Sequence, residues 1–90
     1  MKKNSNSEAR RRALQDRVAM YKIEHGCCMC GVRDPVVLEF HHTNPNSKQF
    51  GISTAISRGY TWEKIEVELR KCIVVCANDH ARIEHAIRKQ

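Results

Sequence analysis

Apolar residues recur with two different periods along this 90-residue chain. Leu14, Val18 and Tyr21 follow an i, i+4, i+7 stripe, which predicts a helix capped by Ser7 and stopped at Gly26, with the polar residues 1–6 fraying ahead of it. A turn at Gly31 and Asp34-Pro35 then precedes Val36-Val37-Leu38-Glu39-Phe40, whose branched and aromatic content predicts a strand that delivers His41 and His42 to its end. Residues 43–48 are turn-forming, and residues 50–57 suit a short helix before Gly59. Thr61 is placed to cap a helix running through Lys71, in which Trp62, Ile65, Leu69 and Cys72 form a buried stripe and Trp62 is a core anchor. A second strand at 73–75 leads through Cys76 into a final helix over about 78–89, with Ile83 and Ile87 facing the core. The pattern is that of an α+β fold, divided into a basic helical extension at 1–25 and a second unit at 26–90.

A chain this short buries too little surface for a hydrophobic core alone to give much margin. Five cysteines, an odd number, fit a disulfide framework poorly. With no signal-peptide pattern, they fit metal binding in a reducing compartment, and the expected location is the cytoplasm. The longest apolar run, residues 73–77, has the length of a buried strand and falls far short of the roughly 20 residues that cross a bilayer, so no membrane association is expected. Sixteen Lys and Arg against ten acidic residues favour a polyanionic partner. Residues 1–25 carry seven basic and three acidic side chains, +4 of the total +6. Arg10, Arg11, Arg12 and Arg17 are therefore candidate phosphate contacts, and a solvated helix face is the plain alternative.

Two thiols spaced two residues apart in a tight turn point at one ion, and Cys27-x-x-Cys30 has that spacing. Cys76 offers a third ligand, but three residues on stands Asp79 where another cysteine would complete a tetrahedral site. Three completions are open: Asp79 binds zinc through an oxygen, His80 is diverted to it, or the site is empty. Asp79 is our preferred ligand, with a helix N-cap as its alternative role. Cys28 and Cys72 are left over, the first pointing away from the turn and the second packing as a small apolar residue.

Adjacent strand residues face opposite sides, so His41 can hold a metal while His42 faces water as a general base. A helix beginning near Asn78 places His80 and Glu84 on one face as further ligands, with His85 rotated by about 100° but near. This division of labour suits hydrolysis of a phosphodiester.

Taken together, Cys27-x-x-Cys30, the segment Leu38-Glu39-Phe40-His41-His42 followed by Pro45 and Lys48, the downstream Trp62, and Lys71-Cys72 leading into Cys76-Ala77-Asn78-Asp79-His80 resemble the HNH endonuclease family, particularly its small phage-type members, over roughly residues 27–88. The resemblance implies a zinc-stapled ββα-metal unit, two short strands and a helix around one divalent ion such as Mg²⁺ or Mn²⁺, that cleaves or nicks DNA. It implies His42 as the water activator, His41 and His80 as catalytic-ion ligands, and Cys27, Cys30 and Cys76 as structural zinc ligands. Asn78 corresponds to the family's asparagine or simply begins the helix. Phage DNA packaging or other DNA-processing partners follow from the resemblance alone. Two departures stand out: Asp79 replaces the second cysteine of the later pair, and the asparagine that orients the base would fall near Lys71, leaving the orienting group unassigned. The expected function is a metal-dependent DNA endonuclease. The alternative is a non-catalytic, zinc-stabilised nucleic-acid-binding module; a redox role for Cys27 and Cys30 leaves the histidines without purpose.

Overall fold

In the computed structural model the described residues are 2–88, with side chains described from residue 8 onward. The long first helix, α1 (Lys2–His25), starts ahead of the expected Ser7. The segment before Ser7 contains neither Gly nor Pro, so nothing interrupts the helix as it extends back from the apolar stripe, and Ser7 is an interior residue rather than a cap. At the other end Gly26 adopts φ 66°, the left-handed conformation that closes a helix at little cost only for glycine. Its N–H returns to the Lys22 carbonyl at 2.7 Å. Arg33 then donates from Nη1 to the carbonyls of Ile23 and Glu24 at 2.7 and 3.0 Å, setting a cation on the negative end of the helix dipole.

The sheet has two antiparallel strands, β1 (Leu38–His42) and β2 (Cys72–Cys76), registered from Leu38 opposite Cys76 to His42 opposite Cys72. Pairing with Leu38 and His42 recruits a cysteine at each end of β2, which is why the strand exceeds the expected 73–75. Cys72 accordingly belongs to the strand and not to the stripe of the preceding helix. Between the strands lie a 3₁₀ turn at Pro45–Ser47, α2 (Ile52–Ser57) and α3 (Trp62–Leu69). Thr61 caps α3 by accepting the Lys64 N–H at 3.3 Å, and the helix ends at Leu69, before Lys71. The last helix, α4 (Ala77–Arg88), follows β2 without a connecting loop, so Asp79 lies in its first turn and is not an N-cap. Lys89, which the sequence reading included, lies outside the described residues.

Two apolar clusters hold these elements together. Val18 of α1 meets Ile52, Ala55 and Ile56 of α2 and Ile65 and Leu69 of α3, with the half-buried Trp62 packed at the edge. Cys27, Leu38, Val74, Val75 and Cys76 form the second, flanked by Ile83 of α4. Tyr21 and Phe40 touch both clusters and tie them into one core. Ile87 does not join: it is 52% exposed, on the last turn of α4 beyond the core side that Ile83 occupies.

Candidate metal centres and a histidine cleft

The turn after α1 is built on backbone hydrogen bonds around one sulfur. The Gly31 N–H donates to the Cys27 carbonyl at 2.9 Å, Gly31 itself has φ 81°, and the Cys30 N–H points at Cys27 Sγ at 3.5 Å. The antiparallel pairing brings Cys76 at the end of β2 beside this turn, and the first turn of α4 adds Asp79, only 5% exposed. The Cys27 and Cys76 thiols each donate to Asp79 Oδ2, at 3.3 and 3.2 Å, while Cys30 and Cys76 sulfurs stand 3.8 Å apart.

A tetrahedral zinc with Zn–S near 2.3 Å and Zn–O near 2.0–2.2 Å requires S–S separations of about 3.8 Å and S–O separations of about 3.6 Å. The donor set therefore has nearly the right spacing for such an ion, and Cys27, Cys30, Cys76 and Asp79 are a group able to hold a metal. Hydrogen bonds from the Cys76 and Cys27 thiols, together with Arg82, outweigh burial and hold the Asp79 carboxyl below its usual range. Burial disfavours the Cys27 thiolate, but the N–H groups of Cys30, Cys76 and Met29 more than offset it and bring the thiol down. At Cys30 the Val32 N–H lowers the thiol, yet the Cys27, Cys76 and Asp79 side chains and burial together push it up to about 11. Arg82 Nη1 donates to Asp79 Oδ1 at 2.9 Å and so fixes the carboxylate with Oδ2 toward the sulfurs. His80 is not diverted to this group. Cys28 is exposed, its N–H bonded to the Val74 carbonyl at 2.9 Å.

On the other side of α4, His41 of β1 meets His80, with Nδ1 of the first 3.3 Å from Nε2 of the second. His80 Nδ1 lies 2.6 Å from Glu39 Oε1, a contact that requires a proton on Nδ1. With a single proton on Nδ1 the ring would keep its Nε2 lone pair for a ligand, the arrangement by which a carboxylate orients a metal-binding histidine. Glu84, one turn on, brings Oε1 to 3.6 Å from His80 Nε2, and His41, His80 and Glu84 form a second group able to hold a cation.

His42, the next residue of β1, turns toward α3. Its Nε2 lies 2.7 Å from Glu68 Oε2, a contact that calls for a proton on Nε2, so that a neutral ring would carry its lone pair on Nδ1. Glu68 is 1% exposed and fully occupied: Oε2 also accepts the Gln49 N–H at 3.1 Å, and Oε1 accepts from Lys71 Nζ at 3.1 Å. Burial opposes ionisation of Glu68, but the Gln49 N–H, His42 and Lys71 outweigh it and hold the carboxyl below its ordinary value of 4.5. Lys71 Nζ also donates to the Ser47 carbonyl at 2.9 Å, which fastens the 3₁₀ turn to the network. His41, His42, His80 and Glu84 all line one open cleft of about 350 Å³, together with Pro45 and Lys48.

Other anticipated residues fall elsewhere. Asn78 is exposed and lines no part of the cleft, because α4 begins one residue before it and turns it outward. His85, about 100° around the helix from Glu84, is exposed and outside both donor groups. Arg10, Arg11, Arg12 and Arg17 lie exposed on α1, Arg17 with its guanidinium 4.6 Å over the Trp62 ring. Two residues of the site went unread in the sequence, Glu39 and Glu68. Glu68 had a signal: it lies three residues after Ile65 and beside Leu69, so a carboxylate stands on the apolar side of an amphipathic helix.

No family model, curated protein or solved structure matches this chain. Among the described residues, fold and site define an α+β domain of four α-helices and a two-stranded antiparallel sheet that carries a Cys/Asp group able to hold a metal ion. Among the described residues, no helix is long and apolar enough to cross a membrane.

Proposed function

We propose that this chain is a metal-dependent DNA endonuclease of the HNH type, with a structural zinc held by Cys27, Cys30, Cys76 and Asp79. One observation carries the reading: a histidine backed by a buried carboxylate opens onto the same cleft as the His41, His80 and Glu84 donor group. Three imidazoles and a carboxylate gathered from β1 and α4 are more than folding requires.

His41, His80 and Glu84 would hold a divalent ion such as Mg²⁺ or Mn²⁺, which when bound supplies positive charge to the scissile phosphate and to the leaving oxygen. His42 takes a proton from water at Nδ1, since Glu68 keeps the other ring proton at Nε2. As that charge develops on the ring, the ionised Glu68 beside it stabilises the imidazolium, the role a buried carboxylate plays behind a general base. Lys48 at the cleft wall offers its ammonium to a phosphate oxygen. Glu39 holds His80 with Nε2 toward the donor group.

The test is incubation of the purified chain with supercoiled plasmid across a panel of divalent ions. Ion-dependent conversion to the nicked or linear form, lost in His42→Ala with DNA affinity nearly intact, is the expected result; undiminished cleavage by the purified variant sinks the assignment. A second reading, a zinc-stabilised binding module without catalysis, draws support from the carboxylate partners of His42 and His80, which give both rings a structural role. It predicts a single metal site, whereas the nuclease has a second, weaker one that His41→Ala removes.

A further inference from the structure

Away from the cleft, α1 and the connection from α2 to α3 enclose a shallow groove. Arg10, Arg11 and Arg58 border a hollow of about 240 Å³ next to Gly59, and Arg10 continues into a second of about 220 Å³ lined by Arg17, Tyr60 and Trp62. Neither hollow has an acidic residue in its wall. Among the described residues, none of these four guanidiniums pairs with a carboxylate. Their charge along one line of the surface is therefore not neutralised by a direct ion pair, although Glu24 and Glu66 stand in the adjoining hollow beside Arg17 and Trp62.

Aromatic rings interrupt that line. Trp62 and Tyr60 are half-buried at its floor, with Arg17 4.6 Å over the first ring and Lys64 4.5 Å over the second. Each cation covers one face of its ring, so a base reaches the ring where that cation swings aside to a phosphate, or stacks on the guanidinium plane itself. A duplex offers this groove phosphates but hides its base faces; a single strand offers both. The charge and the rings are used together only by the latter.

We infer that the groove formed by Arg10, Arg11, Arg17, Arg58, Tyr60 and Trp62 binds single-stranded nucleic acid, phosphates on the guanidiniums and bases against the two rings. It shares no lining residue with the histidine cleft, so binding here is separable from cleavage there. The inference extends the proposed function, since a strand leaving the cleft needs a path on the protein, but it does not depend on it.

Trp62 is the chain's one tryptophan, so emission excited beyond the tyrosine absorption band reports on this residue of the groove. The full zinc-loaded chain, with no other divalent ion added, is titrated with a short oligothymidine and with a duplex of equal phosphate count over a range of salt. Oligothymidine is expected to quench Trp62 emission and to bind more tightly than the duplex. Each guanidinium on a phosphate contributes about 0.7 to the slope of log K against log salt for a single strand, so Arg10→Ala with Arg58→Ala, both exposed, should flatten it by about 1.4. Binding without quenching, an unchanged slope in the double variant, or equal affinity for duplex and single strand overturns the proposal. Plasmid cleavage without quenching removes the groove and leaves the nuclease; quenching without cleavage does the reverse.

Discussion

Replacing Glu68 by Ala is the sharpest single perturbation of this fold. The carboxylate is 1% exposed and takes donors from three separate elements: His42 of β1, the Gln49 backbone, and Lys71 after α3. Lys71 is 27% exposed and can turn to water, so its loss counts for little. The other two donors lose their acceptor at about 1–3 kcal/mol each, a range that brackets the about 3–5 kcal/mol typical of removing one partner of a buried ion pair. A domain of this length has roughly 5–13 kcal/mol in all, at about 0.05–0.15 kcal/mol per residue. Glu68→Ala therefore removes about a quarter of the stability or more. Glu68→Gln keeps the volume and one acceptor oxygen and should cost about 1–2 kcal/mol, the difference between a charged and a neutral acceptor. Urea unfolding followed by circular dichroism, with zinc saturating in every sample, measures both. An Ala variant within about 1 kcal/mol of the parent chain means that the carboxylate is not the hub described here.

Three further outcomes are expected. A strong chelator at neutral pH should collapse the helical signal, because the binding energy of a structural metal is largely folding energy, and a melt unaffected by chelation contradicts the Cys/Asp centre; Arg82→Ala, which frees Asp79 Oδ1, should weaken zinc about 10–100-fold in a competitive titration. Glu68 has a depressed folded-state pKa, so its ionised form stabilises the fold above the ordinary 4.5 and that contribution fades as pH falls through the lower folded value; the stability gap between the parent chain and Glu68→Gln should narrow as pH falls below about 4.5, and a gap that instead widens there reverses the sign. Gly26→Ala places a Cβ at φ 66° and 3.2 Å from Arg33 Cγ, and should cost about 1–2 kcal/mol, read as a drop of several degrees in Tm.

Periodicity announced α1, α3 and α4 because each presents its apolar residues at helical spacing, and the branched residues around Phe40 and Val74 announced the strands. Element ends were less legible. Ser7 is a good cap by chemistry, yet a helix ends where something stops it, and no residue before Ser7 does so. Cys72 fitted the stripe of α3 by spacing, but ladder bonding opposite His42 claimed it for β2. At the Cys/Asp donor group, thiol spacing picked out Cys27, Cys30 and Cys76, while whether Asp79 joins them or caps the helix turned on α4 starting at Ala77.

Local chemistry written in the chain determined the element types, the concentration of positive charge on α1, and which side chains are capable of holding metal. Which of them meet was decided by the antiparallel register and by the docking of α3 and α4 on opposite sides of β1. Glu39 and Glu68, nearly thirty residues apart in the chain, each end up within hydrogen-bond distance of a different histidine of the same cleft. Short-range spacing sets the direction of a side chain relative to its own backbone; only packing of distant elements sets what it faces, because the free energy of that packing comes from apolar surfaces that bear no chemistry of the site.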